Sequence, residues 1–198
     1  MKKRIILLAS LFLFLGSQVV NAQATQQECT IKYNLFKGDY QSKKYDDAFP
    51  NWMYLMDNCQ KLSINIYKLG DKLAQARFKD AADKTEAAAL VKRVYQQRLE
   101  NFPTKDPAKV HSDYATFLVK NKLASDDEVF EILQLAYSID PNRMGVKNIY
   151  RYFQGITDAN KDTNPQKVFD TYDDVLESVG KKLIDYAKKL KVLNDKVE

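Results

Sequence analysis

Four stretches of this chain superpose on one another, and where they do their apolar residues fall into columns. Ala48, Ala87, Val129 and Val168 share the first column, and Phe49, Ala88, Phe130 and Phe169 the next. Trp52, Val91, Leu133 and Tyr172 follow three positions later. Leu55, Val94, Ala136 and Val175 come three after that, beside Met56, Tyr95, Tyr137 and Leu176. The offsets between successive copies are 39, 42 and 39 residues. Spacings of i, i+4 and i+7 set the columns above one another on one side of an α-helix. Each copy therefore predicts a helix with a single buried face. A face repeated at a near-constant period demands a stack of like units, each covering its neighbour.

Helical periodicity runs through the rest of the chain, and no alternating stretch competes with it. The predicted helices span about 26–42, 46–58, 62–79, 83–101, 106–121, 126–139, 144–160 and 165–196. Four of the five prolines, at 103, 107, 141 and 165, fall where a helix should start or stop. Asn164-Pro165 reads as an N-cap followed by proline in the first helical turn. Ser125-Asp126-Asp127-Glu128 reads as a capping box with acids at the positive end of the helix dipole. Pro50 is the exception, about one turn inside its helix, where the missing N–H costs least.

Three segments carry a resemblance. YDDAFPNWMYL (45–55) resembles the second helix of a tetratricopeptide repeat, with a Tyr-acid-acid-Ala start before an aromatic. LAYSIDPN (135–142) is similar to that repeat's ending, and IYKLGDKL (66–73) carries the Leu-Gly pair of its first helix. The combination of a leader, paired cysteines and such repeats also resembles exported bacterial repeat proteins of unassigned function. The resemblance implies an all-α, right-handed solenoid of about four antiparallel helix hairpins with a long carboxyl-terminal helix. The repeats would span about 26–59, 62–102, 106–141 and 144–180, followed by a cap or coiled-coil helix over 181–198. It further implies that the first helix of each hairpin lines a concave face. On that basis Asn34, Lys37, Lys68, Asp71, Lys147, Tyr150 and Arg151 are the candidate partner-binding residues.

The first 22 residues read as a signal peptide: Lys2, Lys3 and Arg4, an apolar run over Ile5–Leu15, then Val20-Asn21-Ala22 at the cleavage site. The apolar run is too short for a stop-transfer helix. The expected product is an exported protein, periplasmic or secreted, with no transmembrane segment after cleavage. Setting aside the three basic residues of the leader leaves 28 basic and 26 acidic residues, a net charge of +2 rather than +5. So small an excess lacks the clustered basic footprint of a nucleic-acid-binding protein.

The hairpin reading accounts for the cysteines. The start of the first helix lies beside the end of the second, so Cys29 and Cys59 come within reach of a disulfide. The alternative is two buried thiols acting as small apolar side chains; an even count in an oxidising compartment favours the bond. Such a link should stabilise the first hairpin by about 3 kcal/mol.

Catalytic patterns are scarce. His111 is the lone histidine and has no nearby partner in sequence for a metal site. No nucleophile elbow, glycine-rich phosphate loop or H-E-x-x-H occurs. DANKDTN (158–164) lacks the glycine and closing glutamate of a calcium loop. The adjacent acids at 46–47, 126–127 and 173–174 diverge on a helix by about 100° and make poor acid–base pairs. The expectation is a non-enzyme without cofactor or metal: a scaffold or adaptor holding a protein or peptide partner on its concave face.

The last helix has a signal of its own. Val168, Tyr172, Val175, Val179, Leu183, Tyr186, Leu190, Leu193 and Val197 form an apolar seam that outlasts the fourth hairpin. Three fates are open to it: a cap, a homo-oligomeric coiled coil, or packing against a further repeat. The second of these defines the alternative function, a self-associating structural component of a cell-envelope assembly. Residues 181–198 hold six lysines and three acids, suiting a solvated face or a negatively charged membrane surface. Gly180 is the expected kink between repeat and cap.

Overall fold

A computed structural model describes residues 24–195. The expected signal peptide and Val197 lie outside them. Eight α-helices occur among the described residues: α1 (Gln26–Gln41), α2 (Tyr45–Asn58), α3 (Asn65–Asp80), α4 (Lys84–Asn101), α5 (Pro107–Asn121), α6 (Asp126–Ile139), α7 (Val146–Asn160) and α8 (Pro165–Asn194). A single 3-10 turn, Pro141–Arg143, joins α6 to α7, and no strand is present among the described residues. Contacts are densest within α1–α2, α3–α4, α5–α6 and α7–α8, and next between consecutive hairpins. The chain is thus an all-α solenoid of helix hairpins. No helix among the described residues is long and apolar enough to cross a membrane.

The caps act as their residue types dictate. The Asn164 side chain accepts the Lys167 N–H, and Ser125 and Glu128 exchange both bonds of a capping box. Two helix starts differ from the sequence expectation. α3 begins at Asn65 rather than near 62, because Ser63 forms a local turn: its Oγ accepts the Asn65 N–H, and the Ile66 N–H bonds back to its carbonyl. α7 begins at Val146 rather than near 144, because the Asp140 side chain accepts the Asn142 N–H and tightens the chain into the 3-10 turn. α2 passes through Pro50 without a break. The carbonyl it leaves unpaired belongs to exposed Asp46, where water can reach it.

The columns pack as predicted in the first three hairpins, and their partners are now visible. Trp52 lies against Gly70 of α3, and Phe130 against Gly155 of α7. Tyr95 meets Tyr114 of α5 at 5.1 Å between ring centres, and Tyr137 stacks on Tyr152 of α7 at 4.1 Å. Every one of these contacts runs from the second helix of a hairpin to the first helix of the next.

The fourth hairpin departs from the expectation of one buried face. Phe169, Tyr172 and Leu176 are exposed. They hold columns whose contact is the following hairpin, and among the described residues none follows α8. The inward face of α8 is built instead from Thr171, Val175, Ser178 and Lys182, all buried. The expected seam is therefore split: Val175 faces the protein's own core, while Leu183 and Leu190 face outward. Gly180 lies within α8, which runs unbroken from Pro165 to Asn194.

Cys29 and Cys59 form a disulfide, with Cα atoms 5.7 Å apart. Cys29 lies in the first turn of α1 and Cys59 is the C-cap of α2, so the bond closes the open end of the first hairpin.

Candidate functional site

The first helices α5 and α7 approach each other around a polar knot. Asn148, buried in the first turn of α7, shares its amide Nδ2 hydrogens among the Ser112 carbonyl (2.7 Å), the Ser112 Oγ (2.9 Å) and the Thr116 Oγ1 (2.9 Å). The Ser112 Oγ also accepts the Gly145 N–H at 3.3 Å. On its other side the Asn148 Oδ1 accepts from Nη1 of Arg151 at 2.9 Å. The buried asparagine thereby fixes the spacing of two helices and the direction of a guanidinium.

That knot forms one wall of an open groove of about 640 Å³. It is lined by apolar Val119, Val146 and Tyr186 and by cationic Lys120, Lys147 and Arg151. Arg151 also borders a neighbouring cleft of about 450 Å³ edged by Asp126, Asp127 and Asp158. The groove can therefore take an extended segment that carries both an apolar side chain and negative charge.

A second polar cluster lies between α3, α4 and α5. An Asp71 carboxylate oxygen accepts from Nε2 of Gln75 at 2.8 Å, and the same amide lies 3.3 Å from the Tyr95 hydroxyl. Burial raises the Asp71 pKa above the ordinary carboxylate value, although the hydrogen bonds from Gln75 and Tyr95 and the charge of nearby Arg98 partly oppose this. The Tyr95 hydroxyl is raised as well, first by burial and then by the Asp71 charge. Arg98 is itself buried, and its Nε has no hydrogen-bond partner. His111 is half-buried, which lowers its pKa.

Of the residues expected to bind a partner, Lys147 and Arg151 share the α5–α7 groove. Tyr150 is exposed on α7 but outside the groove's lining. Asn34 and Lys37 are exposed on α1, and Lys68 on α3. Asp71 is turned into the cluster with Gln75 and Tyr95. Thr116, Lys120 and Tyr186 were not anticipated. Lys120 was within reach of the same reasoning, being a polar residue on a first helix. Tyr186 was not, because it comes from a helix that the repeat pattern assigns to the far side.

Among the described residues no group of three or more His, Cys, Asp or Glu side chains is placed to hold a metal ion. No family model matches the chain. No curated protein matches its sequence.

Proposed function

We propose that this chain is an exported, non-catalytic scaffold that resembles tetratricopeptide-repeat proteins and binds an acidic, partly apolar peptide segment of a protein partner. The observation that carries the reading is the α5–α7 groove, where apolar Val119, Val146 and Tyr186 lie beside three cationic side chains, one of which, Arg151, is held by a buried hydrogen-bonded knot. Extended peptides bind such grooves when apolar side chains supply affinity and charged ones supply orientation and encounter rate. A surface set by helices in a stacked fold is also preorganised, which lowers the entropic cost of binding.

Export is supported by the leader-like amino terminus together with the Cys29–Cys59 disulfide, a bond that persists in oxidising compartments.

The test is affinity capture from envelope extract with the wild-type protein and a Lys120→Glu/Lys147→Glu variant. Both lysines are exposed, so the fold should be unchanged. Loss of a specific partner from the variant, with retention at low salt by the wild type, supports the groove. Recovery of the same partners at the same yield from both proteins excludes it.

A further inference from the structure

Once the inward face of α8 is assigned, a second stripe remains on the outside. From Phe169 to Leu193, apolar residues recur at spacings that alternate strictly between three and four, the a and d positions of four heptads. The a positions are Phe169, Leu176, Leu183 and Leu190, exposed by 66%, 51%, 62% and 60%. The d positions alternate with them, Val179 being half-buried and Tyr172, Tyr186 and Leu193 exposed. Four heptads of apolar side chains, all exposed but Val179, which packs partly on the core, form a strip about 36 Å long at 1.5 Å per residue. Patches of that extent on a protein surface mark interaction sites.

Charge along the same helix identifies the occupant. Residues 165–180 hold one lysine and four acids, a net of −3. Residues 181–194 hold five lysines and one acid, a net of +4. A helix with an acidic first half and a basic second half complements itself when turned end for end, and repels itself when laid parallel. The flanks agree. On one side, Val175 and Lys182 are buried against the protein's own core, and Lys182 Nζ donates to the Asn142 carbonyl at 2.7 Å, tying the helix down. On the other side, the residues next to the seam include Gly180 and Ala187, small enough for a second helix to approach.

We propose that α8 is a dimerisation helix whose partner is α8 of a second copy of this chain, packed antiparallel across a two-fold axis. In that arrangement a positions meet d positions. Phe169 pairs with Leu193 of the second copy, Leu176 with Tyr186 of the second copy, and Val179 with Leu183 of the second copy, while Asp170 and Asp173 come alongside Lys191 of the second copy. The surface is distinct from the basic residues of the α5–α7 groove; Tyr186 alone borders both, so it is left unchanged in the test.

Sedimentation velocity of the purified protein, across a concentration series into the high micromolar range, should show a monomer–dimer equilibrium. Leu183→Glu/Leu190→Glu should weaken it by about a hundredfold or more, because each charge enters an apolar layer twice. Both positions are exposed in the single chain, so circular dichroism and thermal unfolding under monomeric conditions should be unchanged. Asp173→Lys should weaken the dimer at low salt, and adding Lys191→Asp should restore it. Strengthening by Asp173→Lys alone would mean a parallel pair and overturn the proposal. So would a monomer at every concentration, a monomer that binds anionic vesicles instead, or an assembly that resists Leu183→Glu/Leu190→Glu but is broken by Ile31→Glu on α1, which would place the contact end to end.

Discussion

The Trp52 indole occupies the space that any side chain at Gly70 would need: a Cβ built there would lie 2.2 Å from the indole Nε1. That nitrogen donates to the Ile66 carbonyl at 2.9 Å, so the ring is held by a hydrogen bond on the same helix it packs against. The contact joins the first hairpin to the second. Gly70→Ala should therefore destabilise the protein by about 1–3 kcal/mol through overpacking, despite alanine's better helix propensity. Gly38, with nothing within 4 Å of its Cβ position, is the control. Gly38→Ala should stabilise by about 0.5–1 kcal/mol, and urea denaturation of the two variants measures the contrast.

Phe130 and Gly155 repeat the arrangement two hairpins later, with a Cβ at Gly155 falling 2.2 Å from the Phe130 ring. Periodicity revealed Trp52 and Phe130, because large apolar residues at helical spacing signal a buried face. It did not reveal their glycine partners as a pair. Leu69-Gly70 stood out only by resemblance, and Gly155 not at all, since a glycine leaves no trace in a pattern of apolar residues. Ser112 and Asn148 were invisible for a different reason: each is an ordinary polar helix residue until residues 36 apart are brought into contact. The exposed columns of α8 show the opposite limit. Phe169, Tyr172 and Leu176 carry the same pattern as buried residues in α2, α4 and α6, and only the neighbour decides which are covered.

The disulfide has a role set by its place in the stack. Among the described residues the first hairpin is flanked by the second on one side only, and Cys29–Cys59 closes it across a sequence separation of 30 residues. Reduction, or Cys29→Ser/Cys59→Ser, should lower stability by about 3 kcal/mol. The loss should appear first in α1, read by hydrogen exchange with and without reductant, because the bond ties the start of that helix directly to the end of α2.

Asn148 ties α5 to α7 through its amide Nδ2, while its Oδ1 accepts from Arg151 on α7 itself. Asn148→Ala should cost about 1–3 kcal/mol, since it removes the Nδ2 donor that buried Ser112 shares and leaves a gap between the helices. Asn148→Asp should cost more, because a carboxylate would face the Ser112 carbonyl where an N–H now donates. Denaturant titration of both variants gives the order. If the alanine variant proved the less stable, the donor role assigned to the amide would be wrong.

Asp71 should make stability depend on pH in the direction opposite to a salt-bridged carboxylate. Its folded-state pKa is raised, chiefly by burial, so the folded chain holds a proton where the unfolded chain has already released it. The contribution of Asp71 is then fully present below the unfolded carboxylate value. It is lost as pH rises through the raised folded value, leaving a buried charge at neutral pH. Asn at this position can still accept from Gln75 and carries no charge. Asp71→Asn should therefore raise the melting temperature at neutral pH, with the gap between the two proteins closing on acidification as wild-type Asp71 takes up its proton. A gap that widened on acidification would show that attraction to Arg98, not desolvation, governs this carboxylate.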